Sequence, residues 1–491
     1  GGAFLSGGQM ASVKDRLGKV LREEGASWDV RPTSPDVRRL SGVDFGILWG
    51  DLGVGMLVIV AGALLVPALG LPEALLAVLV GSVLGCLPLA LVGVAGAREG
   101  VPGMVLLRPV LGVWGSYAPT ALNVGQLVGW TAFELWAMAL IASRVTGPLF
   151  GVESFWIWLG VAAIVCVALS LGGPVLVVRR WMERFGAWVI GGVAAWITFR
   201  LLVEADLGAL WSRPAEGGFP TFWQGVDLVV ALPVSWIPLV ADYSRFARRG
   251  VSSAGGTYLG YLVANVWFYA IGALLVLGAG VPAFPGPAAV GEGILTLAGG
   301  TIVLLALLVG ETDEAFADIY SAAVSIQNVA RRAPVRALVV GVSALGVALA
   351  AWLFGQPDDG VQTYELFLFL IGSVFVPLTG VFIADYFALG RQRFASDALF
   401  DPSGPYRYTG GVRLAAIGAW ILGFLAFQWV FPTGPGWWTD LVIDIVGKPL
   451  FGGNVSASLV SFGVAFVAYL AMAAGISARP RERAEARSPQ G

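Results

Sequence analysis

The chain of 491 residues is 57% hydrophobic and only 13% charged, and it contains 68 glycines and no histidine. This composition excludes a soluble globular domain and a disordered chain, and it predicts an all-α polytopic membrane protein. The formal net charge of −2 gives no reason to expect nucleic acid as a partner. The sequence also lacks the nucleophile and metal motifs of an enzyme, so we expect no enzymatic activity and no cofactor.

The N-terminal segment, residues 1–40, is polar and is expected to lie in the cytoplasm. Residues 1–9 look like non-native sequence ahead of a start at Met10, and residues 11–40 are too charged for a signal peptide. Apolar segments long enough to cross a bilayer then follow in twelve places. They lie at about residues 43–67, 72–96, 115–143, 154–175, 185–205, 222–243, 256–280, 295–329, 337–354, 364–388, 412–431 and 454–476.

The positive charges support this count of spans. All but four of the 30 Lys and Arg residues fall in segments that are internal if the N-terminus is internal, and such residues are enriched in cytoplasmic loops. The exceptions are Arg144, Arg200, Arg213 and Lys448. We therefore expect a multi-pass protein of the plasma or inner membrane with both termini in the cytoplasm.

Two spans carry helix-breaking residues at corresponding places. The first span is rich in glycine and contains Asp51, and the sixth contains Pro233 and Pro238. A proline inside a helix removes a backbone hydrogen bond, and lipid cannot satisfy the groups left unpaired, so the broken turns should line a cavity. Broken first and sixth helices are typical of inverted five-helix repeats with a binding site at the bilayer midplane. Close helix packing is the alternative explanation for the glycines of the first span.

This pattern predicts a ten-helix transport core over residues 41–390, built from repeats at about 41–205 and 220–390. Residues 391–476 would add two spans, and residues 477–491 would form a cytoplasmic tail. We expect the protein to act as a monomer in the lipid bilayer.

The third span carries a stripe of polar and aromatic residues. Asn123, Gln126, Trp130 and Glu134 are separated by three, four and four positions, so they share one face of a helix. An isolated carboxylate at the bilayer centre costs about 3 kcal/mol or more, so Glu134 should face a cavity or a partner on a neighbouring helix. Trp130, one turn from Gln126 and from Glu134, is suited to stack on a planar ligand.

The eighth span carries four carboxylates within eight residues. Glu311, Glu314 and Asp318 are spaced by three and four positions and share a face, whereas Asp313 lies to one side. An exposed loop is the alternative, but the apolar run before Gly310 favours one continuous helix. Carboxylates on that face could hold a cation, bind a substrate or carry protons.

Acids also meet arginines near the cytoplasmic ends of spans six and ten. Asp242 with Arg245, and Asp385 with Tyr386, follow long apolar runs. We expect interfacial ion pairs worth roughly 0–1 kcal/mol, with a structural role and no contact to a substrate.

Five motifs between residues 96 and 387 extend the pattern beyond single residues. They read GAREGVPGMVLLRPVLGVWGSY, QLVGWTAFE, VSWIPLVADYSRFARR, DIYSAAVSIQN and VPLTGVFIADYF. Together they resemble the nucleobase:cation symporter-1 family, and within it the cytosine permease and hydroxymethylpyrimidine permease branch, from about Val43 to Tyr386. The resemblance implies the LeuT-type 5+5 inverted repeat, with broken helices 1 and 6, plus two C-terminal helices.

The resemblance also implies where the substrate binds. The family's ring-stacking tryptophan matches Trp130, and the polar residue one turn on matches Glu134. The broken part of the family's sixth span matches Leu232 to Ser235; relatives carry an aromatic residue near Pro233, and this chain does not. The predicted substrate-binding residues are Gly53, Gln126, Trp130, Glu134, Pro233, Ser235 and Asp318.

A sodium site is implied as well. In the family it uses carbonyls of the first span and small hydroxyl residues of the eighth, at positions that match Gly53 to Met56 and Asp313 with Glu314. The predicted cation ligands are Gly53, Met56, Asp313 and Glu314. Acids at these positions would strengthen sodium binding, but a carboxylate can equally accept a proton. The resemblance favours sodium as the coupling ion, with the proton as the alternative.

The acids narrow the expected substrate. An aminopyrimidine such as cytosine or hydroxymethylpyrimidine, once protonated, can donate two parallel hydrogen bonds to Glu134 or Asp318. Uracil, hydantoin and allantoin have imide edges that would gain less from an anion. The predicted function is import of such a heterocycle by symport with a cation. The alternatives are a proton-coupled importer of nucleobases, hydantoin or allantoin, and a sodium-coupled amino-acid symporter of the same fold.

Overall fold

The computed structural model describes residues 30–172, 186–356, 360–390, 393–401 and 403–474. Most of the predicted N-terminal segment and the predicted tail lie outside these residues. The described part is helical, with two isolated β-bridges and no strand. The main helices are α1 Gly42–Asp51, α2 Met56–Ala63, α3 Leu71–Glu99, α4 Tyr117–Phe150, α5 Phe155–Gly172, α6 Ala187–Glu204, α7 Phe222–Ser235, α8 Val240–Ser244, α9 Gly250–Gly278, α10 Pro287–Thr296, α11 Gly300–Ile326, α12 Val335–Phe354, α13 Val361–Ile383, α14 Leu414–Val430, α15 Gly436–Val446 and α16 Ala457–Ala474. Short helices lie at Gly103–Leu106, Arg108–Leu111 and Leu207–Ser212, and a π-helical turn, Ala384–Leu389, extends α13.

Six helical segments of the described chain are long and apolar enough to cross a membrane, and the bent pair of α1 and α2 makes a seventh. The six are α3, α4, α7 with α8, α9, α12 and α13. The other predicted spans coincide with α5, α6, α11, α14 and α16. The count of twelve spans stays a prediction.

Helix packing follows the two predicted repeats. α1 packs along α9, and α7, which takes the place of α1 in the second repeat, packs along α3. α3 and α9 also occupy equivalent positions in the two repeats. The α1–α9 contact and the α7–α3 contact are therefore equivalent. α4 and α11, the third helices of the repeats, pack against each other. α14 and α16 form a pair, and α16 also contacts α13.

Glycines bring α1 and α9 into backbone contact. A Cβ on Gly256 would lie 2.0 Å from the carbonyl oxygen of Gly42, and one on Gly260 would lie 2.3 Å from that of Gly46. Small residues four positions apart permit this approach between membrane helices. Close packing therefore explains the early glycines of the first span, and the break begins only after Asp51.

The sixth span breaks later than predicted. Pro233 lies inside α7, and the irregular turn follows at Trp236–Leu239. Pro238, within that turn, has no N–H to donate to the carbonyl of Val234, so the regular helix cannot continue through it. The prediction that the backbone is broken at Leu232 to Ser235 is therefore wrong.

Buried arginines tie several segments together at one end of the molecule. The Arg108 guanidinium donates to the side-chain oxygen of Asn328 at 2.8 Å and to its carbonyl at 2.9 Å. Arg245 donates to the hydroxyl of Tyr320 at 3.2 Å. Burial and the neighbouring Arg331 lower the pKa of Arg108 to about 10, so it still carries its charge at neutral pH.

Asp242 and Asp385 are buried, which corrects the prediction of interfacial pairs. Asp242 accepts a hydrogen bond from the Gly103 amide at 2.9 Å, and Asp385 pairs with Arg413 at 2.6 Å. Both aspartates are 1% exposed. Removing one partner of a buried charged pair costs about 3–5 kcal/mol, well above the value for exposed pairs. The structural role predicted for these acids agrees with their contacts.

Another buried carboxylate joins the core to the C-terminal helices. Asp227 of α7 accepts hydrogen bonds from the Ser456 hydroxyl at 2.5 Å, the Ala457 amide at 2.8 Å and the Ser458 amide at 3.1 Å. The first amides of a helix have no partner within it, and the helix dipole favours an anion there. Asp227 therefore caps α16 from the neighbouring helix.

Asp227→Ala is expected to lower the melting temperature in detergent, because it leaves the capped amides of α16 buried without an acceptor. Each buried group left unsatisfied costs about 1–3 kcal/mol. Asp227→Asn, which retains one acceptor oxygen, should lose less. Glu204→Ala, at a partly exposed position on α6, is the control and should change little. An unchanged melting temperature for Asp227→Ala would contradict the capping role.

Candidate functional site

Three carboxylates meet where α2, α4 and α11 converge. One side-chain oxygen from each of Glu134, Glu311 and Glu314 lies within 4.8 Å of the other two. We call these three residues the carboxylate triad. Their exposed fractions are 1%, 0% and 5%, so water solvates none of them well. Such a group of hard oxygen ligands is suited to hold a cation.

The break in the first span places a helix N-terminus against the triad. α1 and α2 meet at 62°, and the Met56 amide at the start of α2 donates a hydrogen bond to Glu311. A Cβ on Gly55 would lie 2.8 Å from Glu311 Oε1 and 3.0 Å from Glu314 Oε1. A side chain at this position would push the two carboxylates away from the backbone. The positive end of α2 stabilises the negative charge beside it.

The triad needs more positive charge than this amide provides. Glu134 lies within hydrogen-bonding distance of both Glu311 and Glu314. An ionised carboxylate only accepts hydrogen bonds, so carboxyl groups in such contact require a proton or a cation between them. In the described part of the chain, no arginine or lysine forms an ion pair with a member of the triad.

Two further buried acids extend the negative region. Asp51, at the end of α1, and Asp318, one turn beyond Glu314, are 4% and 2% exposed, and both act electrostatically on Glu314. Neither oxygen of Asp51 has a hydrogen-bond partner among the described residues. The predicted site residue Asp318 therefore belongs to the same acidic region as the triad.

Trp130 lies one turn from Glu134 beneath two aromatic rings. Its ring is 6% exposed and meets Tyr364 and Phe367 edge to face, with centroids 6.1 and 5.2 Å apart. The Tyr364 hydroxyl donates to the carbonyl of Leu57 in α2 at 3.0 Å. Trp130 Nε1 has no hydrogen-bond partner among the described residues. An aromatic enclosure thus adjoins the triad.

The other end of the polar stripe on α4 binds the break of the sixth span. The Gln126 amide group donates to the side chain of Asn123 and to the carbonyl of Ser235, both at 2.8 Å. The Ser235 hydroxyl donates to the Leu232 carbonyl at 2.6 Å. The donors of Gln126 and Ser235 are therefore engaged within the protein, and Gln126 Oε1 is left without a partner in the described structure.

The structure brings some of the other predicted residues to this site and directs others away. Gly53 lies in the break, where a Cβ would be 2.9 Å from that of Ala264 on α9. Pro233 points toward α3, because a Cβ on Gly85 would lie 2.4 Å from its ring. The ring of Pro233, a predicted substrate-binding residue, is therefore packed against α3.

Asp313, a predicted cation ligand, does not belong to the triad. It lies about 200° around α11 from Glu311, as helix geometry requires for a two-residue step, and it acts electrostatically on Cys166 of α5. Glu311 lies with Glu314 in the triad instead. Helical spacing had already put Glu311 on one face with Glu314 and Asp318, and matching positions by family resemblance overrode that signal. Tyr364 and Phe367 were missed because only a long-range contact brings them to Trp130.

Comparisons with known proteins support a transporter. The family described as "Permease for cytosine/purines, uracil, thiamine, allantoin" matches residues 38–447. A hydantoin permease of Microbacterium maritypicum is 24% identical over 82% of this chain and 85% of its own length. A putative purine-cytosine permease of Bacillus subtilis is 25% identical over 80% of this chain and 83% of its own length.

A solved structure confirms the predicted fold class. A nucleobase-cation-symport-1 family transporter, in a closed conformation with bromovinylhydantoin bound, superimposes with a TM-score of 0.74. It is 19% identical, and the match covers 93% of this chain and 98% of the other. At this identity the likeness establishes the fold only.

Trp130→Ala tests whether this ring binds a planar ligand. We expect a loss of about 1–3 kcal/mol in binding, the usual value for stacking on an aromatic side chain, with a melting temperature near that of the wild type. The ligand is the tightest binder among cytosine, uracil, hydantoin and allantoin, measured by calorimetry. Trp130→Phe should retain part of the affinity, and Trp188→Ala, at a 74% exposed ring on α6, should retain all of it. Unchanged binding, or loss of folded protein, in Trp130→Ala would contradict the stacking role.

Proposed function

Because the chain belongs to the family of permeases for cytosine/purines, uracil, thiamine and allantoin, we propose that it is a secondary active symporter that imports an amino-substituted, nucleobase-like heterocycle together with a cation. The family match confirms the resemblance drawn from the motifs, and the chain is a multi-pass membrane protein. Transport would proceed by alternating access, with both termini in the cytoplasm.

The observation that carries this proposal is the carboxylate triad at a helix break beside Trp130. The ring of Trp130 provides a flat apolar surface, and the triad provides negative charge one turn away. Broken helices at the membrane midplane are the usual site of substrate and ion binding in such folds. Residues suited to bind a heterocycle therefore lie next to residues suited to bind a cation.

Each part of the site has a distinct proposed role. Trp130 stacks on the heterocycle, and Glu134 accepts hydrogen bonds from its amino edge. Glu311 and Glu314, which lie against the start of α2, hold the coupling cation. Because Glu134 contacts both of these carboxylates, a cation bound there reduces the repulsion that Glu134 experiences. Occupation of the cation site would therefore favour the ionised Glu134 that the substrate requires.

The acidic region favours a heterocycle that is cationic or rich in donors. The described part of the site contains the triad together with Asp51 and Asp318, and it pairs none of the triad with a basic side chain. Cytosine and hydroxymethylpyrimidine present an amine beside a ring nitrogen, and uracil does not. We therefore propose aminopyrimidine-like substrates over imides such as hydantoin and allantoin.

The coupling ion proposed here is sodium, with the proton as the second candidate. Carboxylate oxygens suit sodium as a hard cation, and the family resemblance favours it. The contact of Glu134 with both other members of the triad favours the proton, because such contacts require one when no cation is bound. Measurement of substrate affinity in media with different cations separates the two.

A ligand panel tests the transporter class first. Thermal shifts of the full chain with cytosine, hydroxymethylpyrimidine, uracil and allantoin are compared with those given by common amino acids. We expect stabilisation by the aminopyrimidines, since a ligand that binds only the folded state raises its stability. Stabilisation by amino acids alone would favour the amino-acid symporter and would contradict our proposal.

Glu311→Gln tests the cation site through linkage. If sodium is coupled, replacing choline by sodium at constant pH should tighten cytosine binding by about 5- to 150-fold, and cytosine should tighten sodium binding by the same factor. Glu311→Gln removes one ligand charge, so this factor should fall close to one. Both affinities are measured by calorimetry on the purified full chain.

Asp313→Asn is the matched control for this test. It neutralises a carboxylate on the same helix but on the side that faces α5, so the linkage factor should persist. A cytosine affinity that is indifferent to sodium and varies with pH would contradict sodium coupling and favour the proton. Loss of the factor in Asp313→Asn, with Glu311→Gln unaffected, would restore the cation ligands expected from the family resemblance.

A further inference from the structure

A separate cavity lies at the end of the molecule opposite the buried arginines. α13 begins at this cavity, and its π-helical extension ends near the pair of Asp385 with Arg413. The cavity has a volume of about 810 Å³, which is within the range of small-molecule sites. Its walls come from α13, from the loop before α7 and from the loop between α14 and α15. The residues used below are Phe219, Gln362, Glu365, Phe369, Phe431 and Thr433.

Three phenylalanine rings form one wall of this cavity. The centroids of Phe369 and Phe431 lie 4.7 Å apart, and Phe219 lies 6.0 Å from Phe369 and 6.1 Å from Phe431. The rings come from three different segments of the chain. Phe219 is 46% exposed and Phe431 is partly buried, with their planes only 15° apart, whereas Phe369 is 4% exposed and packs behind them. Aromatic faces also attract cations through the ring quadrupole.

Glu365 supplies a negative charge to the wall of this cavity. It is the only acidic or basic side chain among the described residues that line the space. Its Oε1 is buried and has no hydrogen-bond partner in the described part of the chain. Gln362 and Thr433 add polar groups on the same walls. Among the described residues, the cavity therefore combines an aromatic surface with a carboxylate and no basic side chain, and it favours a planar ligand that is cationic or rich in donors.

The first turns of α13 separate this cavity from the central site. Tyr364 and Phe367 face inward and contact Trp130, whereas Glu365 and Phe369 line the outer cavity. Residues at the start of α13 therefore line both the central site and the outer cavity, and α13 separates the two. In the described structure, both compartments pair aromatic rings with carboxylate oxygens and contain no basic side chain that pairs with those oxygens.

We propose that this outer cavity is a second, lower-affinity site for the transported heterocycle. An amino-substituted planar ring stacks on the phenylalanine wall and donates a hydrogen bond to Glu365 before it passes α13 to reach Trp130. The proposal rests on the proposed function for the identity of the ligand. It adds a binding site that the central residues do not provide.

Protection of an introduced cysteine tests this site in the full chain. Both native cysteines, Cys86 and Cys166, are buried, so Thr363→Cys supplies a thiol at the cavity wall. Labelling by an impermeant thiol reagent is followed in a Trp130→Ala background, which weakens the central site. Cytosine should slow the labelling, and uracil, which lacks the amine, should protect less. Adding Glu365→Gln should raise the cytosine concentration needed for protection about tenfold, because a hydrogen bond to a charged group is lost.

Ser212→Cys, on an exposed position in the short helix Leu207–Ser212, is the labelling control and should not be protected. Calorimetry of cytosine binding to the otherwise wild-type protein tests the proposed function separately. Central binding without protection of Thr363→Cys, or protection that Glu365→Gln leaves unchanged, would overturn the outer site alone. Protection without any binding that depends on Trp130 would support the outer site and overturn the central one. An absence of cytosine binding at both sites would overturn both proposals.

Discussion

The structure depends on carboxylates that are buried inside a membrane protein with little positive charge near them in its described part. Three glutamates from two helices meet in the interior, and among the described residues the backbone amide of Met56 at the start of α2 donates a hydrogen bond to one of them. A buried charge without a partner is costly, so the site is stable only when a proton, a metal ion or a cationic ligand completes it. Under the proposed function, this requirement would link substrate and cation binding without any long-range pathway, because both would act on the same carboxylates.

One face of α4 connects the two broken spans. Near its beginning, Gln126 binds the Ser235 carbonyl, which the irregular turn after α7 leaves outside the regular helical bonding. Two turns later, Glu134 meets the carboxylates at the start of α2, and Trp130 lies between them. A change at either break would therefore be transmitted to the residues that flank the stacking ring. The same stripe explains why α4 carries polar residues in an otherwise apolar span.

Much of this arrangement follows from patterns in the sequence, and the exceptions have physical causes. Helical spacing correctly predicted the helix faces that carry Glu134, Glu311, Glu314 and Asp318, because the face on which a residue lies depends only on the local sequence. Asp313 was assigned by family resemblance against that spacing, and the helix turns it toward α5. Both Pro233 and Pro238 are predicted to break the sixth span, but Pro233 lies inside α7, and the irregular turn forms where Pro238 cannot donate to the carbonyl of Val234. Glu365, Tyr364 and the capping of α16 by Asp227 depend on contacts between distant segments, which no local pattern reveals.

The most direct test of the central claim is the location of a bound monovalent cation. Thallium(I), which replaces alkali cations and scatters anomalously, is introduced into crystals of the full chain in sodium-free medium. An anomalous peak is expected between the carboxylates of Glu311 and Glu314 at the start of α2, and sodium should displace it. The peak should disappear in Glu311→Gln and remain in Asp313→Asn. An empty triad, or a peak beside Asp313, would contradict the account.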